Sequence, residues 1–252
     1  MIKINQQKVV ENLIETFLYA GKISLDLRKK GLIKEIKVDN TPVSNGDLEV
    51  NKIITNKLLE LTPNIPIISE ETSENSGHII EMTQGDQDAS VEMNEYASFT
   101  CPHCAKFHSD VYPELKAHYI DKGLVKFIYR EVYFDKYGMW ASMIARCAGP
   151  EKFFGMTDQI YRKQSDWARA ESDIAIVSKL RKIGLLAGLD EEKLNSCLQD
   201  SGKLRALVEW YSENAKRDGI KSTPTFLING EKHSNQSYEQ LKEILDEILE
   251  KS

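Results

Sequence analysis

Cysteine is scarce in this chain, with four in 252 residues. That is too few for a disulfide-rich scaffold at this length. Basic excess is missing too: 33 Lys and Arg stand against 39 Asp and Glu, a formal net charge of −6. Such a balance argues against a nucleic-acid binder, because phosphate contacts need a basic face. No apolar run approaches the roughly 20 residues needed to span a bilayer. What remains is ordinary for a globular protein: 41% hydrophobic and 29% charged residues, enough for one large domain or two small ones.

The first twenty residues, MIKINQQKVVENLIETFLYA, have Glu11 and Glu15 among their apolar positions. A secretory signal needs an uninterrupted apolar core and a small-residue cleavage site. Val9, Leu13, Phe17 and Ala20 instead predict one face of an amphipathic helix. As written, the chain carries no export signal, which predicts a cytoplasmic location.

Helical periodicity covers 6–30 and stops at Lys29-Lys30-Gly31, and it resumes over 46–61. Residues 33–38 read as a short strand, 39–42 as a turn, and Ile65-Pro66-Ile67-Ile68 as a buried strand. The polar run 71–77 is the linker candidate, placing a boundary between 1–76 and 77–252. Beyond it the sequence predicts an edge strand at 78–82 closed by a turn at Gly85-Asp86, then a strand over 90–99. A helix over 101–121, with Phe107, Val111, Leu115 and Tyr119 on one face, leads to a second strand at 124–132. Strand, helix, strand is a βαβ unit, parallel and right-handed. Residues 137–216 are helical almost throughout, with breaks near Gly149-Pro150 and Gly188. The strand at 223–228 runs into Asn229-Gly230, a hairpin signal, with a return strand and a last helix over 237–250.

Cys101-Pro102-His103-Cys104 falls at the junction of a predicted strand and helix. Unpaired N–H groups and the helix dipole there favour a thiolate on Cys101, the nucleophile of disulfide exchange. Pro102 suits the first helical turn, which has no use for its missing N–H. His103 can donate to the Cys101 sulfur or set a cation beside it. Both effects stabilise the reduced pair, which makes its disulfide a strong oxidant. The rival is zinc, but a tetrahedral site needs four ligands. Here there is one close cysteine pair, with Cys147 and Cys197 isolated and His108 on the same helix.

EYASFTCPHCAKFH (95–108), ASMIARCAGPEKFFG (141–155) and STPTFLING (222–230) together resemble the DsbA family, especially its alphaproteobacterial variety. The resemblance covers roughly 78–250. It implies an α/β thioredoxin fold with a helical insertion at about 137–216, and a disulfide oxidoreductase that works without a cofactor. It assigns Cys101 as nucleophile, Cys104 as resolving thiol, and Thr223-Pro224 as a cis-proline loop facing the pair. An X–Pro bond is where a cis peptide is expected, and free backbone groups there would pair with an incoming peptide as an added strand. The plain alternative for Pro224 is the start of an edge strand. Glu95 matches a buried acid that exchanges a proton with the resolving thiol; the alternative is a solvent-facing strand residue. Cys147 and Cys197 match a second, non-catalytic disulfide, against two buried free thiols. Trp140, Trp167 and Trp210 read as packing residues. The resemblance further implies reduced proteins or peptides as substrates, a membrane partner that reoxidises the dithiol, and a periplasmic setting.

Residues 41–71, TPVSNGDLEVNKIITNKLLELTPNIPIISEE, resemble the start of the inositol monophosphatase superfamily, in particular a bisphosphate nucleotidase. Glu70 and Glu71 match its magnesium ligands, and Asp47 matches an acidic position that orients the metal-bound water. The downstream Asp-x-x-Asp-Gly-Thr carboxylates are missing, so residues 1–76 read as a truncated small α+β fragment. One or two carboxylates do not build the metal cluster that phosphoester hydrolysis requires, and phosphatase activity is not expected.

Overall fold

The computed structural model describes residues 6–36, 42–62 and 79–251. The chain divides into two units, Met1–Gly77 with Gln199–Arg205, and His78–Leu198 with Ala206–Ser252.

In the first unit, helix α1 (Gln6–Lys30) ends on Arg28, Lys29 and Lys30, cations that complement the helix C-terminus. Its less exposed line runs Val9, Leu13, Thr16, Ala20, whereas Phe17 is more than half exposed. The expected placement of Phe17 fails because two successive i+4 steps drift about 80° around a helix of 3.6 residues per turn. Strands β1 (Lys34–Ile36) and β2 (Pro42–Ser44) pair antiparallel. Pro42, expected in a turn, opens β2. Helix α2 (Asn45–Leu61) follows at once, started by a capping box. The Ser44 N–H donates to Asp47 Oδ2 at 2.9 Å, and Asp47 N–H to Ser44 Oγ at 3.3 Å. Asp47 is thus committed to a helix start. Glu70, Glu71, the predicted strand at 65–68 and the linker at 71–77 lie outside the described residues.

The second unit is a five-stranded sheet of order β3-β5-β4-β6-β7. Its strands are β3 (Met82–Gln84), β4 (Val91–Ala97), β5 (Val125–Glu131), β6 (Thr225–Ile228) and β7 (Glu231–Ser234). β4 and β5 are parallel, and the other neighbours antiparallel. The edge strand β3 begins four residues later than expected, and its last residue runs into Gly85, which holds φ +93°. A Cβ there would sit 2.3 Å from the Val125 carbonyl, so only glycine fits. Asn229 and Gly230 both take positive φ, as a type I′ hairpin requires.

Register sorts the side chains of the central strands by face. Met93, Glu95 and Ala97 of β4 lie beside Phe127, Tyr129 and Glu131 of β5, with Phe226 and Ile228 of β6 completing that face. On the other face Tyr96 and Leu227 pack with Val132, Tyr211 and Ile220. β4 is buried at every residue but Glu92, as suits a strand covered on both sides.

The single helix expected over 101–121 is three pieces: α3 (Pro102–Asp110), α4 (Tyr112–Leu115) and a π-helical turn, Lys116–Ile120. Pro113 explains the break, because it has no N–H to give the turn before it. The helical insertion comprises α5 (Lys136–Cys147), α6 (Pro150–Arg162), α7 (Gln164–Trp167), α8 (Asp173–Leu186), α9 (Glu191–Gln199) and α10 (Ser201–Arg217). Trp140 and Trp167 are buried in it, and Trp210 is partly buried beneath the Arg146 guanidinium. Helix α11 (Tyr238–Glu250) closes the chain from a capping box at Ser237. No described helix is long and apolar enough to cross a membrane.

Candidate functional site

Cys101 is the N-cap of α3, and Pro102 fills the first helical position, where its missing N–H costs nothing. Hydrogen bonds from three donors fix the loop that brings the chain from β4 to this helix. The Cys101 N–H donates to the Ser98 carbonyl at 3.0 Å, and the Thr100 hydroxyl donates to Asp135 Oδ2 at 2.9 Å. Gln164, reaching in from α7, donates to the carbonyls of Phe99 and Cys101 at 2.8 and 2.9 Å. One buried amide of the helical insertion thus holds two carbonyls of the nucleophile loop.

The two thiols are free, and their environments differ sharply. Cys101 keeps 8% of its surface exposed, whereas Cys104 keeps none. A hydrogen bond from the Cys104 thiol is the main cause that lowers Cys101 to about 5, against burial, with help from Thr223 and the backbone N–H groups of Cys104 and His103. Burial, first, and then the Cys101 hydrogen bond and the Glu95 carboxylate push the Cys104 thiol far above the usual range. The pair thus holds one thiolate and one thiol at neutral pH.

His103 contributes differently from the sequence expectation. Its side chain is exposed, and its backbone N–H is what reaches the Cys101 sulfur.

The Thr223–Pro224 peptide is cis, and Pro224 is buried. In its thiol form Cys101 donates to the Thr223 carbonyl at 3.5 Å. Thr223 Oγ1 is buried without a partner of its own. The loop therefore lies directly against the more exposed sulfur.

Glu95 lies beneath the dithiol, fully buried on central strand β4 rather than facing solvent. Its Oε2 is 2.9 Å from His108 Nε2, and its Oε1 has no partner. His108, also buried, stacks on Tyr161 with ring centroids 4.5 Å apart and lies 4.9 Å from the Tyr112 ring. Tyr161 donates to the Ser98 carbonyl at 3.2 Å, which leaves the Tyr129 hydroxyl to donate to Tyr161 at 2.7 Å. The sequence reading gave this histidine no functional role, although it sits one helical turn after Cys104, on the same face of α3. Gln164 carried no signal at all, because its partners are sixty-odd residues away.

Cys147 on α5 and Cys197 on α9 are joined by a disulfide. Among the described residues no group of three or more His, Cys, Asp and Glu is placed to hold a metal ion.

Comparison with known proteins places this arrangement. The thioredoxin family profile matches residues 78–247. A Rickettsia bellii protein that carries the provisional name of a protein-disulfide oxidoreductase is 33% identical over 173 residues, 68% of this chain and 66% of that protein. Disulfide bond formation protein D of Bacillus subtilis is 28% identical, over 66% of this chain and 75% of its own length. The chain spans slightly less than two thirds of the rickettsial relatives it matches. The crystal structure of Wolbachia pipientis alpha-DsbA1 superposes with a TM-score of 0.64 at 28% identity, covering 68% of this chain and 92% of that one. Oxidised BdbD from B. subtilis gives 0.58 at 26% identity, covering 68% and 93%. With its thioredoxin sheet, its helical insertion and its dithiol at the start of α3, the chain belongs to the thioredoxin family in its DsbA-like form.

Proposed function

We propose that this chain is a thiol–disulfide oxidoreductase that donates the Cys101–Cys104 disulfide to reduced proteins or peptides. The observation that carries the reading is the asymmetry of the pair, with a lowered, partly accessible Cys101 against a buried, raised Cys104. A substrate thiolate attacks Cys101 Sγ, and the sulfur–sulfur bond breaks with its electron pair on Cys104 Sγ, which takes up a proton. A second substrate thiolate then attacks the mixed disulfide, and Cys101 leaves as a thiolate. A thiol of low pKa is a good leaving group, so this second step is fast. Glu95, with one oxygen unpartnered, is the group suited to exchange the Cys104 proton. The Thr223 carbonyl beside Cys101 supports pairing of an extended peptide at that edge, which would lay its cysteine on the sulfur.

The chemistry fits an oxidising compartment, as does the Cys147–Cys197 disulfide. Reoxidation would then fall to a membrane partner able to accept two electrons. Residues 1–76 are read as a separate fragment with no part in the exchange. The test is to mix the oxidised chain with a reduced, unfolded protein that normally holds disulfides. The reading expects stoichiometric transfer, abolished in Cys101→Ser; oxidation that proceeds equally without Cys101 overturns it.

A further inference from the structure

A buried carboxylate that exchanges protons needs a route to water, and β4 offers Glu95 none of its own, since the residue is fully buried. His108 supplies a connection. It faces Glu95 Oε2 with Nε2 at 2.9 Å, and it also lines a cavity of about 270 Å³ bounded by α3, α6 and α7. Ala105, Ser109, Tyr161 and Gln164 share that lining, and the exposed side chains of Lys106 and Arg162 mark where it meets solvent. An imidazole with one ring nitrogen on a carboxylate can release a proton from that nitrogen while it takes up another at the far one.

We propose that His108 is the positioning residue through which Glu95 exchanges protons with solvent by way of this cavity. The inference rests on the oxidoreductase reading and on Glu95 as the proton donor to Cys104. In the donating direction a substrate thiolate bonds to Cys101 Sγ as the old disulfide breaks. Cys104 Sγ, holding the released electron pair, takes a proton from Glu95. Glu95 takes one from His108 Nε2, and water in the cavity restores it to the imidazole. When the dithiol is reoxidised, the proton of Cys104 leaves by the same groups in reverse.

Among the described residues, the titratable groups that meet His108 are Glu95 on β4, Tyr112 on α4, Tyr129 on β5 and Tyr161 on α6, and Cys104 lies one turn away on its own helix. Burial raises all three tyrosines, so none competes for the proton near neutrality. At the rim the charges are Lys106, Asp158 and Arg162, and Arg162 holds Asp158 at 2.8 Å.

The experiment is stopped-flow reduction of the oxidised full chain by dithiothreitol between pH 5 and 9, corrected for ionisation of the attacking thiol. His108→Gln keeps an amide that can reach Glu95 but cannot carry a proton through. His108→Ala opens a space that free imidazole can enter. The expected result is a rate about tenfold lower at pH 7 in both variants, with a pH–rate profile that differs from the wild type's. Added imidazole restores the alanine variant and leaves the glutamine variant unchanged. A glutamine variant with the wild-type rate and pH profile overturns the proposal, as does an alanine variant that imidazole does not help. Failure of the wild-type chain to exchange at all would sink the oxidoreductase reading instead.

Discussion

Reduction of the dithiol creates a Cys101 thiol lowered from 9.0 to about 5, and that shift makes the stability of the reduced protein depend on pH. A lowered pKa adds stability that is fully present above the unfolded value and is lost as the pH falls through the folded one. The window here runs from about pH 9 down to about 5. At pH 7 the unfolded thiol is almost wholly protonated and the folded one almost wholly ionised, a difference worth roughly 3 kcal/mol. At pH 4 almost none remains. Between pH 7 and 4 Cys104 adds nothing, because its raised thiol stays protonated both folded and unfolded. Carboxylates remote from the dithiol titrate between pH 7 and 4 in the oxidised protein as well and cancel, and a Glu95→Gln background in both forms removes the one that acts on Cys104. The quantity to measure is therefore the difference in denaturant unfolding free energy between reduced and oxidised chain, at pH 7 and at pH 4. It should shift against the reduced form by roughly 3 kcal/mol on acidification. A shift under about 0.5 kcal/mol would refute the assignment of a thiolate to Cys101 at neutral pH.

Three substitutions test other parts of the structure. Breaking the Cys147–Cys197 bridge, which spans 50 residues, should cost about 4 kcal/mol from loop entropy, read by denaturant melts, while dithiol exchange persists. Glu131→Ala would strand the buried Arg146 guanidinium, which now holds both carboxylate oxygens at 2.5 and 2.8 Å. The loss should be about 3–5 kcal/mol, and the same melts would show it. Gln164→Ala leaves the carbonyls of Phe99 and Cys101 without their buried donor and should cost about 2 kcal/mol or more. Faster amide exchange confined to the Cys101 loop would accompany it.

The sequence placed β4, β5 and the hairpin at Asn229-Gly230 to within a residue or two, because apolar runs and turn residues carry those signals locally. It could not place the break at Val111 as well, since the apolar spacing of Phe107, Leu115 and Tyr119 continues across it; only Pro113 marked the interruption. The dithiol was legible because spacing and position alone define its chemistry. The loop at Thr223-Pro224 was legible only by resemblance, for nothing in residues 222–230 says what they face. The Glu95–His108 pair depends on β4 and α3 meeting across thirteen residues, and Gln164 depends on the insertion folding back over the Cys101 loop. Contacts of that kind are set by tertiary packing, which neither periodicity nor propensity encodes. His103 shows the converse error: a side chain with apt chemistry points to solvent, and its backbone does the work.

The reduction potential of the Cys101/Cys104 pair tests the central claim most directly. Thioredoxin's reactive thiol lies near pKa 7 and its potential near about −270 mV. With Cys101 lowered to about 5, the reduced form at pH 7 gains roughly 2 kcal/mol over that reference, or roughly 50 mV. Equilibration with glutathione at pH 7 should therefore give a value of about −220 mV or higher, toward the about −120 mV of a strong disulfide donor. A value at or below about −270 mV would contradict the account, because a pair so poised removes disulfides instead of giving them.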